Sequence, residues 1–197
     1  MSETPLNVLA VAGSLHEESV TRIVLSYVAD HLRQMNCEVD FLDLKAEPLA
    51  LYDPDSAYDA PEYGPLQTRM DRADVFVLGT PDYHGSVSGV LKNFLDYFWH
   101  EFSGKLIATV VASHEKGLTV TDELRTIARQ CYAWTLPYGV SFHGRNDLAN
   151  GKFTNEAMKK RVDMMIRDVV VYGRLLAAQR RADLAGSEPG FLERLRK

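Results

Sequence analysis

The chain has 197 residues, 46% of them apolar, which is enough for one α/β domain or two small ones with a substantial core. Its 22 basic and 27 acidic side chains give a net charge of −5 without any run of like charges, which argues against broad nucleic-acid binding. No signal peptide is apparent, and no stretch approaches the ~20 apolar residues of a membrane span, so we expect a soluble, cytoplasmic protein.

Five short apolar runs predict the strands of one sheet. They span residues 6–12, 38–44, 74–80, 106–112 and 138–142. Most of them are nearly continuous in aliphatic residues and Phe, as in parallel strands that are buried on both faces. Between and after them, apolar spacings of three and four predict helices around residues 20–35, 66–73, 90–102, 124–131 and 158–176. This alternation predicts a doubly wound parallel sheet with helices on both faces.

The chain shows no repeat or linker that would divide it. Residues 1–180 are therefore interpreted as a single domain, and residues 181–197 as a charged tail that is either a surface appendage or a subunit contact. The long loop 45–64 is either functional or a plain surface connection. Cys37 and Cys131 lack any metal or redox spacing, which favours two buried small hydrophobes in a reducing compartment.

The loop after the first strand, "GSLHEESVT" from Gly13, has the character of an anion site. Ligands of open α/β sheets bind beyond the carboxyl ends of the strands. Ser14, Ser19 and Thr21 offer hydroxyls where a helix begins, and free N–H groups there favour a group such as a phosphomonoester. Ser19 could instead be only an N-cap, and His16 either a phosphate donor or an exposed loop residue. Neither a Walker A loop nor GxGxxG is present.

The loop after the third strand opens the stretch "TPDYHGSVSGVLKNFLDYFW", residues 80–99. Pro81 and Gly85 predict a turn, with Tyr83 and His84 between them. The backbone of such a turn can bind the polar edge of a heterocycle, and Tyr83 could supply an apolar face. The alternative is a tight turn with a structural tyrosine.

The loop after the fourth strand, "SHEKGLT", is weaker as a signal. Ser113 could donate to a carbonyl, and Gly117 allows close approach of the backbone. A plain connection is an equally good interpretation of these residues.

Taken together, the three loops resemble those of the NAD(P)H-dependent FMN reductases, a flavodoxin-like family related to quinone, azo and chromate reductases. The resemblance covers about residues 6–142. The stretch 80–99 is similar to the family pattern Pro-Glu-Tyr-Asn-Gly-Ser followed by Gly-Val-Leu-Lys-Asn, and "GSLHEES" resembles its Gly-Ser-x-Arg phosphate loop. It implies a five-stranded sheet in the order 2-1-3-4-5 and bound FMN, with NADPH or NADH as co-substrate.

The resemblance also implies which residues bind the cofactor. They are Ser14, His16, Ser19, Val20 and Thr21 around the phosphate; Pro81, Asp82, Tyr83, His84 and Gly85 along the isoalloxazine edge; and Ser113, His114 and Gly117 near the pyrimidine end. His16 stands where the family usually has arginine, His84 where it has asparagine, and loop 113–119 lacks a double glycine. With histidine at position 16, FMN binding would weaken as pH rises and the imidazole loses its proton.

The implied function is hydride transfer from NAD(P)H through FMN to a small acceptor: a quinone, free flavin, azo compound or metal oxyanion. No catalytic residue and no metal ligand is assigned; His84 could donate a proton or could only bind backbone. One alternative is a flavodoxin-like electron carrier or regulatory module without NAD(P)H turnover. A serine hydrolase based on Ser14 is a weaker alternative, because GxSxG is absent.

The aromatic helix suggests self-association. Its apolar side chains cover more of the circumference than one sheet face needs: Leu91, Phe94, Leu95, Tyr97, Phe98, Trp99 and Phe102. A surplus apolar surface indicates a subunit interface, so we expect a homodimer or a dimer of dimers, that is, a homotetramer.

Overall fold

The computed structural model describes residues 4–196, in which parallel strands alternate with helices. The strands are β1 (Leu6–Ala12), β2 (Cys37–Asp43), β3 (Val75–Pro81), β4 (Leu106–Ala112), β5 (Trp134–Thr135), β6 (Val140–Phe142), β7 (Leu148–Ala149) and β8 (Lys152–Phe153). The α-helices are α1 (Val20–Gln34), α2 (Tyr63–Arg72), α3 (Gly89–Asp96), α4 (Leu118–Gln130), α5 (Gly144–Asp147) and α6 (Glu156–Ala185). Short 3₁₀ helices span Ala57–Asp59, His100–Phe102 and Glu193–Leu195.

The sheet has the order β2-β1-β3-β4-β5, with all of these pairs parallel, which confirms the predicted topology. The fifth position is shared by two short strands, because β6 also pairs with β4. Leu106 pairs with Trp134 whereas Val110 pairs with Val140, so the edge strand bulges between them. Pro137 lies in this bulge, where its missing N–H interrupts the ladder. A small antiparallel hairpin of β7 and β8 follows and was not predicted.

The alternation of side chains along each central strand divides the core in two. In β1, Val8 and Ala10 face α1 and α6, whereas Leu9 and Val11 face the layer of α2, α3 and α4. All four are at most 1% exposed. Both faces of the sheet are therefore covered, which explains the nearly continuous apolar composition of these strands.

Helix α3 ends at Asp96, earlier than its apolar pattern predicts. The Glu101 carboxylate accepts a hydrogen bond from the Trp99 N–H (3.0 Å), which takes this amide out of the helical pattern. A 3₁₀ helix then carries Phe102 into the core, where it is 1% exposed. The apolar spacing thus continues through a change of helix type.

The expectation that α3 leaves a surplus apolar surface was wrong. Of its aromatic set only Trp99 is exposed, at 48%, because loop 45–64 lies over the helix. The Asn93 side chain fixes this loop: its Oδ1 accepts from the Tyr52 N–H (2.8 Å), and its Nδ2 donates to the Ala50 carbonyl (2.8 Å). The loop therefore covers the helix within one chain, and the oligomeric state stays a prediction without this support.

Helix α6 passes the expected boundary at residue 180 and ends at Ala185. The chain then returns, and Leu192, 2% exposed, lies against the Gly104 backbone. The Arg194 guanidinium stacks 4.4 Å from the centre of the Tyr132 ring. Although α6 has 30 residues, it and the other helices within residues 4–196 lack a stretch long and apolar enough to cross a membrane.

Both cysteine side chains are buried, as expected. Burial raises the pKa of the Cys37 thiol and of the Cys131 thiol to about 11. Because the thiolate is the reactive form, these side chains behave as small hydrophobes.

Lys105 is a buried cation that caps the end of α2. Its Nζ donates to the carbonyl oxygens of Met70 (2.7 Å) and Asp71 (3.3 Å), and it lies 5.6 Å from the centre of the Phe76 ring. Burial lowers the pKa of the Lys105 ammonium from 10.5 to about 8. The two carbonyl contacts therefore stabilise the charged ammonium, whereas its removal from water destabilises it.

The Lys105→Met variant tests this cost. Between pH 8 and 10.5 the folded state binds fewer protons than the unfolded state, so the Lys105 contribution to stability increases as pH rises through that range. The unfolding free energy of the native protein minus that of the variant should therefore rise by about 3 kcal/mol over this pH range. Urea unfolding at both ends of the range measures this difference, in which tyrosine titration cancels. A difference in unfolding free energy that stays constant with pH would contradict this prediction.

Candidate functional site

The carboxyl ends of β1, β3 and β4 border one cleft of about 460 Å³, a usual size for a small-molecule site. Most predicted site residues line it: Ser14, His16, Ser19, Val20, Thr21, Pro81, Asp82, Tyr83, Ser113 and His114. The remaining ones, His84, Gly85 and Gly117, line an adjoining cleft that shares Asp82, Ser113 and His114 with the first. The structure therefore brings all the predicted residues to one edge of the sheet.

The first loop presents donors toward this cleft. Ser19 caps α1, since its Oγ accepts from the Arg22 N–H (3.1 Å). The N–H groups of Val20 and Thr21 have no acceptor within residues 4–196. Ser14 and Ser19 are 3% and 4% exposed, and each accepts an amide proton while its own hydroxyl proton stays available. Such a helix start favours an anion.

Arg22 organises the loop from behind, a role that the sequence pattern did not reveal. Its guanidinium donates to the Asp43 carboxylate (2.7 Å) and to the carbonyl oxygens of Ser14 (3.0 Å), His16 (3.2 Å) and Glu17 (3.2 Å). These hydrogen bonds keep the three loop carbonyl groups pointing toward the Arg22 guanidinium. The sequence does contain one signal for this role, the carboxylate of Asp43 at the end of the neighbouring strand. Only the fold shows that Arg22 is its partner.

The second loop is a two-residue β-hairpin. Tyr83 and Ser86 exchange backbone hydrogen bonds of 3.1 and 3.2 Å, and His84 and Gly85 between them have φ angles of 59° and 81°. Positive φ at both central residues is the type I′ geometry that suits a tight hairpin. Tyr83 is 53% exposed at the edge of the cleft. The His84 ring makes no hydrogen bond within residues 4–196, so the structure does not show the backbone contact considered for it.

Two carboxylates hold the hairpin in place. Asp82 accepts from the Gly85 N–H (2.8 Å) and from the Ser113 hydroxyl (2.8 Å), which joins the second and third loops. Glu123, on α4, accepts from the Ser86 hydroxyl (3.0 Å) and the Val87 N–H (3.0 Å). Ser113 thus donates its hydroxyl proton to Asp82 in this structure. The sequence suggested that this hydroxyl could donate to a ligand carbonyl instead.

The third loop contains a pair of hydrogen-bonded histidines. His143 Nδ1 accepts from the Asn146 N–H (3.3 Å), so its Nε2 carries the proton and donates to His114 Nδ1 (3.2 Å). Gly117 has a φ of 58°, and a Cβ there would lie 2.6 Å from the Ser141 Oγ. Gly117 therefore packs closely on β6, and its approach to a ligand stays a prediction.

Helix α5 and strand β7 add three residues that the sequence did not indicate. Gly144, Arg145 and Leu148 line the same cleft as the first loop. A four-residue helix carries no periodic signal, so only the fold places these residues at the site.

A second cavity, of about 450 Å³, lies at the amino ends of β1 and β2. Its three arginines are already paired with carboxylates: Arg33 with Asp30 (2.8 Å), Arg69 with Asp40 (2.8 Å) and Arg72 with Glu38. This cavity therefore offers no free cation comparable to the donors of the first loop.

The model of a family described as NADPH-dependent FMN reductase matches residues 6–147. An FMN-dependent NADPH-azoreductase of Staphylococcus saprophyticus is 29% identical over 178 residues, covering 83% of this chain and 93% of that protein. An NADPH azoreductase of a Bacillus species (strain OY1-2) is 30% identical over 169 residues, covering 84% of this chain and 89% of that protein.

Solved structures show the same fold at lower identity. The apo form of an NADH:FMN oxidoreductase (EmoB) aligns with a TM-score of 0.70 at 18% identity, covering 86% of this chain and 89% of the other. FerB, a flavoenzyme NAD(P)H:(acceptor) oxidoreductase from Paracoccus denitrificans, aligns with a TM-score of 0.69 at 20% identity, covering 86% and 97%. Both support the flavodoxin-like arrangement of the sheet.

Replacing Arg22 by Gln should loosen the first loop. The variant loses the Asp43 pair and the carbonyl contacts of a group that is 22% exposed, so we expect a loss of about 1–3 kcal/mol in unfolding free energy. Amide hydrogen exchange of residues 14–18 should accelerate. The exposed pair Arg33–Asp30 supplies the control, since Arg33→Gln should leave exchange in this loop unchanged. Equal exchange in both variants would argue against the positioning role of Arg22.

Proposed function

The chain belongs to the NADPH-dependent FMN reductase family, and from this premise we propose that the cleft at the ends of β1, β3 and β4 holds FMN and serves the reduction of an azo compound. The observation that carries the proposal is the convergence of three loops, each with donors or a turn suited to one part of this cofactor, on a single cleft. FMN and NAD(P)H are the cofactors of the family.

The residues of the cleft fit FMN by their chemistry. The free N–H groups of Val20 and Thr21, with the hydroxyls of Ser14 and Ser19, match the acceptor oxygens of a phosphate. On the hairpin, the N–H of His84 has no acceptor within residues 4–196 and can bind a heterocycle edge. The phosphate end is therefore assigned to the first loop and the ring system to the hairpin.

The protein groups position reactants and limit access. When bound, FMN accepts a hydride from NAD(P)H and passes two electrons to the acceptor. The adjoining cleft, about 880 Å³ and lined by His84, Gly85 and Leu118, gives the nicotinamide and then the acceptor a route to the ring. Tyr83, half exposed at the edge of the first cleft, supplies an apolar face there. Asp82 and Glu123 keep the hairpin rigid during this exchange.

Two relatives support the choice of acceptor and donor, since their names describe an FMN-dependent NADPH-azoreductase and an NADPH azoreductase. The test is to titrate the purified protein with FMN and then to follow NADPH consumption with and without an azo dye. We expect saturable FMN binding and dye-dependent NADPH oxidation. FMN binding without NADPH oxidation would favour the electron-carrier alternative, and no FMN binding would overturn the proposal.

Replacing Ser19 by Gly separates the two roles considered for this residue. Glycine is a fair N-cap, so the stability of the flavin-free protein should fall by only a few tenths of a kcal/mol. Loss of the hydroxyl should weaken FMN binding by roughly 10-fold, because one hydrogen bond to a charged group is lost. Fluorescence titration with FMN measures the affinity, and riboflavin, which lacks the phosphate, serves as the control ligand. An unchanged FMN affinity would leave Ser19 as only an N-cap.

We further propose a homodimer. Because loop 45–64 covers α3, support for the dimer comes instead from α6, which exposes Met164 (43%), Tyr172 (44%) and Leu175 (61%). Several exposed apolar groups on one helix are typical of a contact between subunits.

Light scattering at micromolar concentration tests the homodimer. The native chain should have twice the monomer mass of 22.1 kDa, and Leu175→Glu should shift the population toward monomer because it would bury a charge in the contact. An exposed leucine away from α6, Leu51, supplies the control through Leu51→Glu. A monomeric native chain would exclude this part of the proposal.

A further inference from the structure

Arg145 is an arginine in the cleft that is without a protein partner. It lies on α5, it lines the same cavity as Ser14 and Ser19, and its side chain is exposed. Within residues 4–196 its guanidinium makes no hydrogen bond, ion pair or ring contact. A guanidinium that has no internal partner is available to a ligand.

The charges around the cleft make this arginine stand out. Among the described residues 4–196 that line the cavity, Arg145 is the only lysine or arginine, whereas Glu18 and Asp82 are carboxylates. A phosphate placed here would meet net negative side-chain charge without Arg145. The helix start of α1 contributes only a partial positive charge.

Three other cationic candidates near the first loop are already engaged, and one of them, Lys45, forms an ion pair with the Glu17 carboxylate. Arg22 is paired with Asp43 and bonded to the loop carbonyls. His16 Nδ1 accepts a hydrogen bond from the Glu18 N–H (3.1 Å), so this ring nitrogen is already used within the loop. His16 therefore shapes the loop, and the permanent charge must come from another residue.

The fold fixes α5 beside the start of α1. A Cβ on Gly144 would lie 3.1 Å from the Val20 Cγ1, so the backbone next to Arg145 packs on the first residue of α1. The buried Asp147 carboxylate accepts from the His143 N–H (2.7 Å) and the Asn155 side chain (2.7 Å), which anchors the other end of α5. Arg145 is thus held on a short, tethered helix next to the free N–H groups.

We propose that Arg145 binds the phosphate of FMN in this chain and makes the cleft select FMN over the uncharged riboflavin. This inference rests on the proposed function. Guanidinium and phosphate form paired, charge-assisted hydrogen bonds, which a neutral imidazole cannot replace. A second consequence follows from the permanent charge: FMN affinity depends little on histidine protonation, in contrast to the dependence expected from position 16.

The test compares FMN and riboflavin binding to the flavin-free protein by fluorescence titration. For Arg145→Gln we expect FMN affinity to fall by roughly 10- to 100-fold, the value of hydrogen bonds to a charged group, and riboflavin affinity to stay the same. The salt dependence of FMN binding should also flatten. Arg145→Lys should recover part of the loss. Arg129→Gln is the matched control, because Arg129 is an exposed arginine on α4 that does not line the cleft.

The outcomes separate the two proposals. If the native protein binds neither FMN nor riboflavin, the proposed function fails and the role of Arg145 with it. If the native protein prefers FMN and Arg145→Gln keeps the same preference, only the role of Arg145 is overturned. An equal loss for FMN and riboflavin would also overturn it, since that result indicates a general effect on the cleft.

Discussion

Gly13 is the point where the parts of the cleft meet. Its N–H donates to the Gly79 carbonyl (2.8 Å), and its carbonyl accepts from the Ser88 hydroxyl (2.5 Å), so the exits of β1 and β3 and the start of α3 are tied together. A Cβ at this position would lie 2.7 Å from that of Leu91. Any larger residue would push the first loop away from the hairpin and open the cleft that both loops share.

The cleft is built by side chains that bond to the backbone of the loops. Arg22 donates hydrogen bonds to carbonyls of the first loop, and Asp82 and Glu123 accept hydrogen bonds from donors of the hairpin. Asp147 accepts a hydrogen bond at the start of α5. Each of these groups is charged, and each acts mainly on backbone or hydroxyl groups. The amides of Val20 and Thr21 lie in the first turn of α1, where no intrahelical acceptor exists, so they remain for a ligand. Preorganisation of this kind avoids the cost of ordering the loops on binding.

Local composition determined the order of elements in this protein. Strands buried on both faces must be apolar throughout, and helices on those faces must carry an apolar stripe, so the alternation of strands and helices could be predicted from spacing, whereas the strand order came from the family resemblance. The loops after β1, β3 and β4 could be located for the same reason, since strands that run parallel end at a common edge. The sequence could therefore place residues such as Ser19 and Gly117 at this edge, where they line adjoining clefts.

Only the tertiary structure decided which distant groups complete the site. The pairing of Arg22 with Asp43, the contact of Glu123 with the hairpin and the approach of Arg145 each join segments that are far apart in the chain. Sequence periodicity reports how one element faces the core, and it contains no information on which loop will cover a helix, as loop 45–64 covers α3. These contacts depend on packing in three dimensions, and for that reason the aromatic helix was misjudged and Arg145 was missed.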